Sequence, residues 1–407
     1  MSRLSLLASP LFLSLLVACQ STTREGMLAY DNGDHRAAAE AWTPHADAGD
    51  ADAQFLLGLL HDDGAGCPED DTRAAAWYRR AADQGHAAAQ TNLALLHYTG
   101  SGVPQSFERA AELYRAAAES GFSAAECNLG VMHLFGNAVE RDAERAYELI
   151  RAASLDDHSN AQRLLGALYY EGLGVETDRA QAVRWFTRAA EQDQPAAAEQ
   201  LGIMYLRGDG IDRDDVLARR WLEHAARLGA PKAQFLTGCI LEQGIGGEAR
   251  PEEALEWFRR AERNGIEAAA LSIGLAYLRG DGIEQSNSQA VAWIQRAADA
   301  DVAQASYDLG LLHLQGRGVE RDMETARACF EEAARGGVPL AHVRLGAMHE
   351  RGAGVEADSL EAFKHYSMAA ALGLASAEGE LDRLTAQLDA FDRAEARRMA
   401  HDWQLQR

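Results

Sequence analysis

Ala53-Gln54-Phe55-Leu56-Leu57-Gly58, then Gly64-Ala65-Gly66-Cys67-Pro68, then Ala74-Ala75-Ala76-Trp77-Tyr78-Arg79-Arg80-Ala81-Ala82-Asp83-Gln84-Gly85: this stretch returns every 36 residues without an insertion. Ala53 is matched at Ala89, Ala125, Ala161, Ala197, Ala233, Ala269, Ala305 and Ala341. Gly64 is matched at Gly100, Gly136, Gly172, Gly208, Gly244, Gly280, Gly316 and Gly352. Ala74 and Ala81 recur in all nine copies, ending at Ala362 and Ala369. A fixed period in this range is the signature of a solenoid or a related array. The nine copies cover residues 51–374 of 407, so one unit accounts for most of the chain.

Within a unit, apolar positions 53, 57, 60 and 61 have the spacing of one helical face. Gly64 suits the left-handed position that closes a helix, and Gly66 a tight turn. The next position is apolar in eight copies (Cys67, Val103, Val139, Val175, Ile211, Ile283, Val319 and Val355), and Gly247 is the exception. A second helix is expected from about residue 70 to 84, with Ala74, Trp77, Tyr78 and Ala81 inward and Gly85 at its end. On this reading Trp77, Trp185, Trp221, Trp257 and Trp293 fill the space between units. Each unit is an αα-hairpin, and the fold class is all-α, a right-handed α-solenoid of antiparallel helix pairs.

The pattern A-x-A-Q-x-x-L-G-x-x-Y-x-x-G-x-G-V followed by A-x-x-W-Y-x-x-A-A-x-x-G resembles the Sel-1-like repeat, a relative of the tetratricopeptide repeat. Residues 159–194 carry it well: Ala161-Gln162, Leu165-Gly166, Tyr169, Gly172, Gly174-Val175, Ala182, Trp185-Phe186 and Ala189-Ala190. The resemblance spans about four-fifths of the chain, with local departures at Ala94, Ala138 and Gly247. It implies a non-enzymatic adaptor in a multiprotein complex. Some relatives staple the two helices of each unit with a cysteine pair, which this chain lacks.

The ends read differently. Arg3, the apolar run Leu11 to Val17, and Leu16-Val17-Ala18-Cys19 form the outline of a secretory signal over residues 1–18. The last four residues resemble the bacterial lipobox, which implies lipidation of Cys19 and a membrane anchor; the alternative is an ordinary signal with a chance cysteine. Gln20 and Ser21 replace the aspartate that marks inner-membrane retention, so the resemblance points to the outer membrane, facing the periplasm. Residues 19–26 read as a tether and 27–50 as an N-terminal capping half-repeat interrupted by Pro44. At the other end, Leu381, Leu384, Leu388 and Phe391 make a stripe in 375–407, expected to be a C-terminal capping helix or a partner-binding tail.

Net charge is -23, which argues against a nucleic-acid partner. A column of His61, His97, His133, His313 and His349, shared with Tyr169, Tyr205 and Tyr277, tempts a metal reading. Stacked helices about 8–10 Å apart keep such side chains from converging within the ~2.1 Å that ligation needs, so no metal is expected. Cys67, Cys127, Cys239 and Cys329 fall in separate units, too far apart to be bridged, and are expected to be buried and inert. No catalytic carboxylate pair, His-Glu metal motif or Gly-x-Ser-x-Gly nucleophile stands out, so no catalytic residue and no cofactor is assigned.

A surface remains. The wheel of the first helix leaves columns 52, 56 and 63 on an outward line. Early units place Asp52, Asp63, Asn92 and Asn128 there, later ones Arg207, Lys232, Arg279, Arg344 and Arg351. Those five cations are the candidate partner-binding residues, a local basic patch for an acidic or extended segment of an envelope protein. The expected function is a lipid-anchored periplasmic scaffold in envelope assembly or polysaccharide secretion. Binding of polysaccharide or peptidoglycan fragments is the alternative, and a β-lactamase-like hydrolase, implied by some cysteine-rich relatives, a more remote one.

Overall fold

The computed structural model describes residues 24–387 and positions 392, 394, 395 and 398. The chain divides into two units, one ending at Asp214 and one beginning at Asp215. In the first, α1 (Arg24–Asp31) and α2 (His35–Asp47) precede α3 (Ala51–Asp63), α4 (Asp71–Ala82), α5 (Ala87–Thr99), α6 (Phe107–Glu119), α7 (Ser123–Phe135), α8 (Ala143–Leu155), α9 (Ser159–Glu171), α10 (Arg179–Glu191) and α11 (Pro195–Arg207). The second holds α12 (Asp215–Arg227), α13 (Pro231–Gln243), α14 (Pro251–Arg263), α15 (Ala268–Arg279), α16 (Asn287–Asp299), α17 (Ala303–Gln315), α18 (Met323–Arg335), α19 (Pro339–Arg351), α20 (Ser359–Ala371) and α21 (Ser376–Thr385). Within each unit consecutive helices pack in antiparallel pairs, and each pair packs on the next, so the all-α solenoid is observed.

The helix boundaries follow from local chemistry. Gly64 takes φ 64° and donates its N–H to the Leu60 carbonyl, closing α3. The second helices open on Asp70, Ser106, Asp142, Asp178, Ser286, Asp322 or Asp358, whose side chains accept an early helical N–H. Their backbones also reach back: Asp70 N–H donates to the His61 carbonyl at 2.9 Å, and Asp142 N–H to that of His133 at 3.0 Å. That bond recurs in each repeat and locks the inter-helix loop to the histidine/tyrosine column, in which Leu241 is the one exception.

Packing within a pair centres on a glycine facing a large side chain. A Cβ on Gly58 would lie 2.5 Å from Tyr78 Cδ1, and one on Gly166 2.9 Å from Phe186 Cδ1. Tyr78, Phe186, Phe258 and Phe330 are thus buried to 3% exposure or less, each such side chain contributing about 1.5–3 kcal/mol. This role falls to the residue after the tryptophan column. Trp77, Trp185, Trp221 and Trp293 are only half-buried, and Trp257 alone is buried. Arginine covers the rings instead, Arg80 at 4.5 Å from Trp77, Arg188 at 4.6 Å from Trp185 and Arg260 at 4.6 Å from Trp257. Each arginine lies three residues after its tryptophan, one turn along the same face.

The first helices are buried more widely than a single face. Eight consecutive residues of α3, Ala53 to Leu60, are buried, because α2 and α4 press on it from two sides. Leu56 is therefore 7% exposed rather than outward, while His61 is half-buried.

The ends also differ from the reading of the sequence. Helix α1 begins at Arg24, inside the stretch read as a tether, and pairs with α2, so the leading element is a helical hairpin rather than a half-repeat. Pro44 sits inside α2 without ending it. Trp42 is 1% exposed and packs over Gly26, where a Cβ would meet its ring at 2.2 Å. Helix α21 packs on α20 through buried Leu384 and half-buried Leu381; Leu388 and Phe391 lie outside the described residues. Residues 1–18 and Cys19 lie outside them as well.

Candidate functional site

Three candidate cations are the last residue of a first helix before its glycine cap, Arg344 lies two turns before such an end, and Lys232 lies near a helix start. Arg207, the last residue of α11, is exposed in the first unit. In the second unit Lys232, near the start of α13, Arg279 at the end of α15, and Arg344 and Arg351 on α19 are all exposed. Arg344 and Arg351 are seven residues apart, two turns on one helical face.

The patch is not simply basic. Arg279 Nη1 lies 3.2 Å from Glu242 Oε1 and 3.7 Å from Asp281 Oδ2. Arg344 Nε donates to the Tyr307 hydroxyl at 3.4 Å. Between them Asp308 is half-buried, and burial raises its carboxyl above the usual range against the hydrogen bond from Gln304 and the charge of Arg279. The surface is a mixed strip in which arginines lean on neighbouring carboxylates. Exposed pairs of this kind are worth about 0–1 kcal/mol, so an incoming carboxylate can displace the resident one.

The early columns are built differently. Asp52 accepts from His86 Nε2 at 3.2 Å, and Asp63 is half-buried with its carboxyl raised by burial and by Asp62 and Glu69. Sequence reasoning missed the joints of this region, in which column 65 reaches the preceding repeat. Asn137 Nδ2 donates to Tyr98 OH at 2.8 Å, and Asp209 Oδ2 accepts from Tyr170 OH at 2.7 Å and Arg179 Nη1 at 2.5 Å. Phe135 is left 70% exposed at the end of α7. The column varies too much between copies for its partners to show in the sequence.

The other candidates are packing residues. His97 and His133 place Nδ1 3.3 Å and 3.1 Å from the carbonyls of Pro104 and Glu140, and among the described residues no group of three or more potential ligands is arranged to hold a metal. Among the described residues Cys67, Cys127, Cys239 and Cys329 are free thiols, and Cys67 and Cys239 are half-buried rather than buried as expected; burial pushes Cys127 up to about 12 and Cys239 and Cys329 to about 11, which keeps them protonated. Among the described residues no helix is long and apolar enough to cross a membrane.

The Sel1 repeat model matches nine consecutive segments: 51–86, 87–122, 123–158, 159–194, 195–229, 231–266, 268–302, 303–338 and 339–374. The chain belongs to the Sel1 repeat family. Sel1 repeats typically mediate protein–protein interactions as scaffolds. Among solved structures it is similar to a Sel1 repeat protein from Oxalobacter formigenes, at 30% identity and TM-score 0.59, covering 77% of this chain and 92% of that one. It is also similar to a protective antigen of uropathogenic Escherichia coli strains that displays the Sel1-like repeat fold, at 27% identity and TM-score 0.52, covering 90% and 86%. Comparison with curated proteins returns no match.

Proposed function

We propose that this Sel1 repeat protein is a lipid-anchored adaptor of the bacterial envelope. Cys19 carries the anchor at the outer membrane, and the repeats face the periplasm. The protein holds a partner through an acidic or extended segment laid along the first helices, in assembly or polysaccharide secretion. The observation that carries the docking reading is Arg279, exposed and shared between Glu242 and Asp281 rather than buried in one pair. An arginine in that state exchanges carboxylates at small cost. The cysteine after Leu16-Val17-Ala18 supports the anchor.

A crosslinking pull-down of the tethered protein, with Cys19→Ala as the mislocalised control, tests the reading. Recovery of a stoichiometric envelope protein that depends on Cys19, and whose binding weakens with salt and in Arg279→Glu/Arg344→Glu, is the expected result. Recovery of glycan fragments alone would replace the protein partner with a carbohydrate.

A further inference from the structure

Three histidines stack at the end of the last repeat. The column that carries Gln54, Gln90, Gln162 and Gln234 in other repeats carries His342 here. His342 is 3% exposed, and its Nδ1 lies 3.1 Å from Nδ1 of His365 on α20, with ring centroids 5.4 Å apart. His349, two turns along α19, stacks on His365 at 5.6 Å and 22°. Its Nδ1 is buried without a hydrogen-bond partner. Two ring nitrogens at 3.1 Å form a hydrogen bond only when one carries a proton and the other offers a lone pair. Neutral rings meet that condition. A proton added to the pair makes one ring a buried cation, and protonating both rings sets two N–H groups, and two positive charges, against each other.

We propose that the His342–His365–His349 stack is a proton-operated catch that holds α20 on α19 while the rings are neutral and lets this end of the array open in mild acid.

The surrounding charges leave His365 without compensation. From α20 itself, Lys364 lies beside it, with Glu361 2.8 Å from Lys364 Nζ. From α19, Glu350 is held by Arg383 at 2.6 Å and by the Tyr366 hydroxyl at 3.1 Å, with Arg351 next along the helix. From α21, Glu380 also meets Arg383, and from α18, Glu331 meets Arg327 and Glu332 meets Arg335. Among the described residues no carboxylate forms an ion pair with His365. Burial first, then the charges of His342, Lys364 and His349, lower its imidazole to about 3.

A histidine in an open chain titrates near ~6.5. Above that pH open and closed states bind the same protons, and the closed state keeps its full stability. Below it the open state takes up protons that the closed state refuses, so opening becomes easier by up to about tenfold per pH unit for each such histidine. The interval from about 6.5 to 5 lies above the range of ordinary carboxylates, so histidines dominate it. His86 and His158, also lowered by burial, act in the first unit and leave this end untouched. The catch stands whether or not α19 docks a partner.

Hydrogen exchange on the full chain, corrected for the intrinsic rate at each pH, reads the opening directly. Protection of 339–385 should fall about tenfold or more between pH 6.5 and 5. His365→Phe should flatten that fall while leaving the first unit's response in place, and His342→Gln, which places there the residue of four other repeats, should reduce it. A pH-independent 339–385, an unchanged slope in both variants, or a His365 ring that titrates near ~6.5 by NMR would each overturn the catch.

Discussion

Gln84 Nε2 donates to Gln54 Oε1 at 2.8 Å, while Gln54 Nε2 donates to the Ala46 carbonyl at 2.9 Å. One buried amide thus ties the end of the preceding helix α2 to the end of its own partner helix α4. The joint recurs where Gln162 meets Ser154 and Gln192, and where Gln234 meets Ala226 and Asn264. An amide suits the position because it donates and accepts at once in a dry contact.

Gln234→Leu keeps the volume and removes both bonds, leaving the Asn264 amide unmatched while the Ala226 carbonyl keeps only the Gly229 N–H. Denaturant unfolding should show a loss of about 1–3 kcal/mol. Asn264→Ala in the Gln234→Leu background should cost less than in the wild type, because the two residues share one bond.

The second glycine of each loop touches the preceding repeat. Gly174 has φ 70°, and a Cβ there would lie 1.9 Å from the Ala143 carbonyl oxygen. Gly174→Ala should destabilise by about 3 kcal/mol or more, since both the dihedral and the backbone contact oppose it. Ala138 occupies the same column at φ 55° and is exposed. Ala138→Gly should therefore raise stability, by up to about 1 kcal/mol after glycine's entropy in the unfolded chain is counted. A melting temperature that falls in Ala138→Gly would contradict this.

Gly247, the one interruption of the apolar column, makes room for Arg219. A Cβ on Gly247 would lie 2.8 Å from Arg219 Nη1, which donates to the Glu248 carbonyl at 3.2 Å, while Nε pairs with Glu223 at 2.8 Å. Gly247→Val alone should destabilise by about 1–3 kcal/mol through overpacking. Joined with Arg219→Val, it should recover much of that loss, giving a coupling of about 1 kcal/mol or more in a double-mutant cycle.

Arg383 grips Glu350 with two bonds, 2.6 Å and 2.7 Å, and so fastens α21 to α19. Arg383→Ala should loosen α21, with faster hydrogen exchange there and a loss of about 1 kcal/mol. The arginine holds the Glu350 carboxyl below its usual range. That contribution is present above the ordinary glutamate value, near ~4.3, and is lost as pH falls through the lowered one. It therefore sits below the pH interval of the histidine catch.

The repeat length, both helices, their glycine ends and the family were legible in the sequence, because each depends on residues within a few positions of one another. Column 56 was read as outward, since a helical wheel has one partner in view while α3 has two. Tyr78 was legible as inward, but not that its ring closes on Gly58. The cations of the later repeats were visible, but the carboxylates beside Arg279 come from residues 37 positions before it and two after.

The sequence by itself determined that this protein is a stack of helix pairs, because Gly64 and its eight counterparts set the period through backbone conformation alone. Only the tertiary structure decided which side chains meet: Gln54 with Gln84, Arg219 with Gly247, and His342 with His365. Those contacts join residues 23 or more positions apart, so they depend on how helices approach one another. That approach is set by the packing of the whole repeat, which a local pattern does not encode.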